Sequence, residues 1–433
     1  MLTFQREIPL RHDVDVLVIG GGPAGCAAAV SAARQGANVF LAEALGCFGG
    51  AGTAALVPYF MPFGDKEHFL AAGIGEEILD RLDAYRTPKT HPRDHGILQE
   101  DLKRVYDDLL EEAGVTFANF TQMIAAECAD GRIAHCVFSA KSGLFAVRAR
   151  VYIDCTGDGD LAVMAGAPYE KGDASGQMMA GTLCSLWSPV HWHQVSHVGN
   201  ERMQEAYENG VFKRLDMHLP GMFRISDRIG GGNIGHAFGV DGTDERSMTE
   251  AMVASRRLLD EYTAYYRQYL TGFEDMDLLA TGTMLGIRET RRILGDYVLN
   301  QADFERRAIF ADEIGRFNYC VDIHASDESL ESYHAQYLNA FRSLRYGPGE
   351  SYGIPYRILL PQRVENLLVA GRCVSTDRAM QSSIRVMPGC YITGQAAGTA
   401  AALCARQGID PRALPAATLQ STLKAIGAYL PNA

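Results

Sequence analysis

The sequence has no Cys-x-x-Cys pair, no apolar run long enough to span a bilayer, no internal repeat and no excess of positive charge. Each absence removes a class of function. Ten cysteines are present, but they are scattered, and Cys26, Cys155, Cys373, Cys390 and Cys404 sit in apolar or glycine-rich stretches. They read as small buried residues in a reducing compartment, with neither a zinc knuckle nor a redox dithiol among them. Lys and Arg number 40 against 52 Asp and Glu, a formal charge of -12, which argues against nucleic acid because phosphate backbones reward basic patches. Membrane spanning is not expected. The mixed polar stretch Met1 to His12 has no apolar signal core, so a cytoplasmic protein is expected. What remains is an acidic globular chain of 433 residues, 47% hydrophobic, long enough for two or three domains.

The rest of the chain is organised around Val16-Leu-Val-Ile-Gly20-Gly21-Gly22-Pro23-Ala24-Gly25, which leads into an Ala-rich run. A short Val/Ile strand, a Gly-x-Gly-x-x-Gly turn and a helix follow in order. In this pattern Gly20 makes the tight turn, Gly22 lets backbone approach a pyrophosphate and Gly25 lets helix and strand pack closely. The phosphates would meet the free N–H groups and positive end of the helix. A second strand, Asn38 to Ala42, delivers Glu43, placed to accept the ribose hydroxyls of an adenosine. This context points to a dinucleotide and leaves FAD or NAD open.

Downstream, Ala44 to Ala54 is a glycine-rich loop suited to lie against a flat ligand. Helical periodicity runs over Lys66–Ala84 and Gln99–Ala113, and Val115–Phe120 reads as a strand. An antiparallel excursion follows, with turns at Ala129–Arg132 and Lys141–Gly143. The strand Arg150–Asp154 ends in a second glycine turn. From about Pro168 the strand–helix alternation stops. The expected architecture is α/β: a Rossmann-like domain with a parallel sheet and an antiparallel excursion, over residues 1–169 and 351–433, interrupted by an inserted α+β substrate domain at 170–350. Strand Asn366–Ala370 rejoins the sheet, and Pro388 opens a long small-residue helix. Gly230–Gly235 also fits the glycine spacing, but no strand precedes it and no Ala-rich helix follows. A second nucleotide domain is therefore not expected.

Three further stretches join the first: Asp154-Cys-Thr-Gly-Asp-Gly-Asp160, Gly286-Ile-Arg-Glu-Thr-Arg-Arg-Ile293, and Asn366 to Arg372 continuing through Ser383-Ile-Arg-Val-Met-Pro388 to Gly398. Together they resemble the FAD-dependent oxidoreductases of the glutathione-reductase-like superfamily, in the fumarate-reductase-like branch with an inserted substrate domain. The resemblance implies FAD as cofactor. It places Gly20, Gly22, Pro23, Ala24 and Gly25 at the pyrophosphate and Glu43 with Ala44 at the adenosine ribose. Gly49, Gly50 and Thr53 fall in the loop against the ligand, Met123 beside the adenine, and Thr156, Gly157 and Asp158 behind the phosphates. Gly371 falls near the ribityl chain, and the helix opened by Pro388, Gly389 and Cys390 aims its positive end at the flavin ring. Many superfamily members carry an acid after the glycine matching Gly371. Here Arg372 stands there, with Asp377 or Ser375 as substitutes for the ribityl contact.

A flavin exchanging hydride with a substrate needs charge stabilisation and proton transfer nearby. Arg288 and Arg291 would share a face if Arg288–Arg292 is helical. One of them is expected to bind a substrate carboxylate or hydroxyl, the alternative being a structural ion-pair cluster. His236, after the glycine run, is the first choice for proton transfer, and Arg385 is a further substrate-side candidate. His193 and His197 are four apart, as zinc ligands are, on a surface helix starting at Ser188-Pro189. No glutamate completes a zinc motif, so a polar face is expected and no metal. Covalent flavin attachment through histidine in the Gly46–Thr53 loop is excluded, leaving Cys47. The expected function is hydride transfer between non-covalent FAD and a small polar substrate, carboxylates and polyols included, with a separate electron donor or acceptor as partner. The alternatives are a monooxygenase or halogenase served by a separate reductase, and a flavin-binding electron-transfer subunit.

Overall fold

The computed structural model describes residues 5–85 and 95–433. Its centre is the strand Leu10–Ile19, whose last four residues are Val, Leu, Val and Ile buried on both faces, the composition of an interior parallel strand. It pairs in parallel with Val39–Ala42 on one side and Gly143–Asp154 on the other, with Val16 opposite both Val39 and Val151. Thr116–Ala118 extends the sheet beyond Val39–Ala42. The long strand Gly143–Asp154 changes partners along its length. Its first half pairs antiparallel with Arg132–Ala140, and its last residues pair in parallel with Leu367–Val369. The excursion is closed at Asp130 and Gly131, which have φ of 50° and 73°, the paired positive values that tight hairpins require.

Helices Pro23–Arg34 and Met387–Gln407 cover this sheet with their backbones in contact. A Cβ on Gly394 would stand 2.2 Å from the Ala24 carbonyl oxygen, and one on Gly398 2.0 Å from that of Ala28. The small residues of the C-terminal helix thus set how closely two distant parts of the chain meet. That contact fixes the start of both helices over the same space.

The periodic stretch Lys66–Ala84 becomes helical only at Ile74–Tyr85. Before it, the Asp65 carboxylate accepts backbone N–H bonds from Glu67 and His68 at 2.9 and 2.6 Å, a local turn that competes with helix. Gln99–Glu112 is helical as its periodicity predicts, and the strand expected at Val115–Phe120 is confined to Thr116–Ala118.

A second hydrophobic core lies within residues 183–285, around Trp187, Tyr262, Tyr265, Tyr266 and Phe273. An antiparallel sheet of Gly221–Arg224, Gly230–Asn233, Ser185–Ser188 and Asp277–Thr281 backs it. The 25-residue helix Glu245–Tyr269, capped by the Asp244 side chain on Ser247 N–H, packs beside it. Ile293, Leu299, Phe304, Ile314, Phe317 and Val321 belong to the first core. The chain therefore returns to the first core well before residue 350, because strand Glu313–Phe317 pairs with Tyr352–Pro355. Gly230 to Gly232 form a strand, and their missing side chains have packing reasons. A Cβ on Gly231 would meet Pro58 at 2.2 Å and one on Gly232 would meet Trp187 at 2.9 Å. Among the described residues no helix is long and apolar enough to cross a membrane.

Candidate functional site

The two cores meet over one cavity of ≈ 420 Å³. On the sheet side its wall is built from Gly20, Gly22, Pro23, Ala24, Glu43 and Gly50. Thr156, Gly157, Gly371, Arg372 and Cys390 continue the wall. From the second core's side come Thr182, Asn233 and Arg288, and Tyr319, Asp322, His324 and Arg385 close the remainder. Tyr59, Met61, Phe223 and Leu285 make much of the remainder apolar.

The three glycines of the first turn have separate explanations. A Cβ on Gly20 would lie 2.6 Å from the Cys155 carbonyl oxygen, and one on Gly25 would lie 1.8 Å from that of Gly20. Both are demanded by the chain's own packing. A Cβ on Gly22 would meet nothing within 4 Å, and its φ of -71° is open to any residue. Protein packing gives no reason for glycine there, whereas close approach of a bound pyrophosphate does. Gly22 also stands before Pro23 at the start of a helix with no acid in its first turn, so the exposed N–H groups and helix dipole face the cavity as an anion site. The Glu43 carboxylate is held at its strand end by Gly21 N–H at 2.6 Å and Leu45 N–H at 2.7 Å. Burial raises its pKa above the ordinary carboxylate range, against those two bonds. The donor set fits a dinucleotide: bare backbone and a helix end for phosphate, and a fixed carboxylate for ribose.

Several expected contacts stand off the cavity. Gly49 and Thr53 organise the loop internally, with Thr53 Oγ1 donating to the Phe48 carbonyl at 2.6 Å. Met123 is buried on the hairpin opposite Phe138. Gly25, Ala44, Asp158, Pro388 and Gly389 are also absent from the lining, although their neighbours Ala24, Glu43, Gly157, Met387 and Cys390 are in it. The helix Met387–Gln407 is capped at Val386, which lines the cavity, and has no acid in its first turn; its positive end therefore borders the site.

Arg372 explains the departure from the superfamily acid. Its guanidinium donates to the Gly157 carbonyl at 3.0 Å, the Ile287 carbonyl at 2.6 Å and Asp158 Oδ1 at 2.6 Å. It clamps the second glycine turn to the chain leaving the second core at Ile287. The proposed substitutes are engaged elsewhere: Asp377 caps the helix Arg378–Ile384, and Ser375 Oγ accepts from Gly295 N–H.

Arg288–Arg292 is not helical. Its end forms the short strand Arg291–Ile293, which pairs with Tyr169–Lys171, so the arginines diverge. Arg288 is buried on the cavity wall, where its guanidinium donates to the Ala180 carbonyl at 2.6 Å, Thr182 Oγ1 at 2.9 Å and Asn233 Oδ1 at 3.2 Å. All three acceptors are neutral, so no carboxylate compensates its charge directly. Burial and the nearby Arg385 lower its pKa to about 10. Arg291 points away into an ion pair with Asp160 at 2.7 Å. Arg292 and Arg378 both pair with the buried Glu289, at 2.6 and 2.9 Å. The structural alternative therefore describes Arg291 and Arg292, while Arg288 is on the cavity.

His236 is one shell behind the wall. Its Nδ1 meets Asp216 Oδ2 at 2.8 Å and its Nε2 meets His324 Nδ1 at 3.0 Å. The imidazoles that do line the cavity are His218 and His324, and desolvation by burial lowers the pKa of both, keeping the rings neutral. Arg385 reaches the cavity with its guanidinium on the Asp322 carbonyl at 3.0 Å, while its buried Nε has no partner among the described atoms. Sequence reasoning missed Tyr319, Asp322 and His324. Their only trace was the run Tyr319-Cys-Val-Asp-Ile-His324, in which titratable and apolar residues are mixed. The surface histidines His191, His193 and His197 lie on turns after strand Ser185–Ser188, with no helix beneath them.

The family described as FAD dependent oxidoreductase matches residues 15–423. No curated protein matches the chain. Among solved structures, flavin-dependent brominase Bmp2 is similar at 12% identity over 95% of this chain and 84% of that one, with a TM-score of 0.50. A geranylgeranyl bacteriochlorophyll reductase-like protein from Thermoplasma acidophilum is similar at 12% identity over 96% and 84%, with a TM-score of 0.45. OxyS anhydrotetracycline hydroxylase from Streptomyces rimosus is similar at 13% identity over 95% and 65%, with a TM-score of 0.41.

Proposed function

Because the chain belongs to the FAD dependent oxidoreductase family, an enzyme family whose cofactor is FAD, we propose that it oxidises or reduces a small molecule carrying an anionic oxygen. That substrate would lie in the cavity between the two cores. When bound, FAD supplies the two-electron carrier that exchanges hydride with an organic substrate. The Gly22 backbone and the helix start at Pro23 would hold its pyrophosphate, and Glu43 its ribose. The N-terminal end of helix Met387–Gln407 would offer positive potential to negative charge developing at the ring end.

Substrate positioning would fall to Arg288 and Arg385. Arg288 is pre-oriented by its three neutral acceptors, so its charge is available to an incoming oxyanion without reorganisation. Tyr59, Met61, Phe223 and Leu285 would hold the carbon body and exclude water. Ten cysteines with no disulfide among them support a reducing, cytoplasmic setting. The observation that carries the proposal is the single cavity joining the Gly22 cradle to the buried Arg288 and the half-buried Arg385.

The test is anaerobic reduction of the flavin-loaded protein by a panel of hydroxy acids, unsaturated acids and polyols, with NAD(P)H in a separate arm. Bleaching by a carboxylate or hydroxyl-bearing donor, slowed in Arg288→Ala, is the expected result. Bleaching only by NAD(P)H would favour the monooxygenase or halogenase reading, and bleaching only by a reduced protein would favour an electron-transfer subunit.

A further inference from the structure

In and just behind the wall of the cavity is a group that hydride transfer does not call for. His218, His236 and His324 come from three separate segments, each is at most 5% exposed, and one nitrogen from each lies within 4.8 Å of the others. We propose that these three imidazoles bind a divalent transition-metal ion of the zinc class, with an open coordination position facing the cavity.

Three observations support the site beyond proximity. The first is spacing. His236 Nε2 and His324 Nδ1 are 3.0 Å apart, within the about 2.9–3.4 Å that separates two nitrogens bound to one metal at about 2.0–2.1 Å each. The widest separation is at most 4.8 Å; the His218 ring lies face to face with His324 at 4.2 Å and with Tyr337 at 3.6 Å, so binding requires that ring to turn out of the stack and bring its in-plane lone pair to the ion. The second is orientation from behind. Asp216 Oδ2 contacts His236 Nδ1 at 2.8 Å, and Asp322 Oδ1 is 3.5 Å from His324 Nε2. The Asp216 carboxylate on the far nitrogen of His236 holds the proton there and leaves the Nε2 lone pair aimed inward, the arrangement that metal-binding histidines use. The third is an orphan: His218 Nδ1 is buried with no hydrogen-bond partner among the described atoms, a cost that a bound cation would remove.

Charge then specifies the fourth ligand. Arg288, Arg385 and Asp322 line the cavity with His324, the Asp322 carboxylate 3.6 Å from Arg385, and Asp216 stands behind His236, so the two positive and two negative side chains offset one another. A dication held by three neutral imidazoles would remain uncompensated, and its open position would take an anionic oxygen. His218 and His324 line the cavity, so that oxygen would belong to the substrate or to a hydroxide in its place. Neutral imidazole suits zinc, iron, copper and nickel alike; zinc is the probe because it brings no redox chemistry of its own.

The experiment uses the full chain with FAD bound, stripped with a chelator and titrated with Zn²⁺ by calorimetry, followed by elemental analysis after dialysis. One zinc per flavin is expected. His218→Gln should weaken binding at least 100-fold while keeping the flavin, since that ring has few hydrogen bonds to lose, and Asp216→Asn should weaken it 10–100-fold. His193→Ala, in the exposed cluster, should have no effect. Absence of stoichiometric zinc, unchanged affinity in His218→Gln, or loss of binding in His193→Ala would each overturn the site and leave a hydrogen-bonded histidine chain in its place. Flavin content is counted separately in every sample, so a colourless protein would count against the flavin reading and not against the metal.

Discussion

Two glycines three residues apart should respond in opposite ways to the same methyl group. At Gly25 an added Cβ would stand 1.8 Å from the Gly20 carbonyl oxygen, where contacts below 3.0 Å are essentially never seen. Relief requires helix Pro23–Arg34 to move off strand Leu10–Ile19 by more than an ångström, yet that helix is also locked to Met387–Gln407. Overpacking of this kind costs about 1–3 kcal/mol or more, so Gly25→Ala should lower the urea midpoint of the FAD-free protein. At Gly22 the Cβ meets no protein atom within 4 Å, and φ is -71°. A helix N-cap loses up to about 1 kcal/mol on replacement by alanine, and the stiffer unfolded chain returns about 0.4–1 kcal/mol. The FAD-free stability of Gly22→Ala should therefore stay within about 1 kcal/mol of wild type. The loss should appear only with cofactor. FAD at about 100 times its Kd stabilises the wild type by about 2.7 kcal/mol, whereas a variant whose Kd has risen 100-fold keeps only about 0.4 kcal/mol. Paired urea titrations with and without FAD measure both numbers. If Gly22→Ala keeps the full FAD-dependent increment, the space beside Gly22 is not the pyrophosphate site.

Other substitutions separate binding from architecture. Arg288→Ala should retain bound yellow flavin and lose about 10²–10³ in kcat/KM; release of flavin on purification would instead make the residue structural. Glu289→Gln leaves Arg292 and Arg378 without their shared buried carboxylate and should cost about 3–5 kcal/mol in urea unfolding, so an unchanged midpoint would dismiss the pairing as a stability element. Asp154 is fully buried, and desolvation raises its pKa from 3.8 to about 6 despite three hydrogen bonds. Between those values the folded state holds a proton that the unfolded state releases, so this group makes stability fall as pH rises from about 4 to about 6, with no further change above. Asp154→Asn should remove that component, and identical pH slopes in the two proteins would show that the residue does not titrate there.

The first nucleotide-binding half was legible because its signals are local. A Val/Ile strand, three spaced glycines and a terminal acid each act within a few residues of themselves, and Asp130-Gly131 closes its hairpin for reasons contained in the turn. Gly394 and Gly398 were legible as close-packing residues, but not their partners Ala24 and Ala28, because nothing in a stretch of small residues says which helix it will touch. The substrate side was harder still. His236 stood out after a glycine run, yet those glycines accommodate Pro58 and Trp187, and the ring faces His324 from behind. Arg288 and Arg291 looked equivalent until strand pairing at Arg291–Ile293 turned one toward Asp160 and left the other on the cavity.

By itself the sequence determined that the chain folds around a dinucleotide turn, because backbone conformation, strand burial and helix polarity there are short-range consequences of residue type. Which arginine lines the cavity, which carboxylate stands behind which histidine, and that three imidazoles from positions 218, 236 and 324 gather at one point were decided only by tertiary structure. Those placements depend on packing between segments dozens of residues apart, and a side chain's type says what it can bind but not what the fold will set beside it.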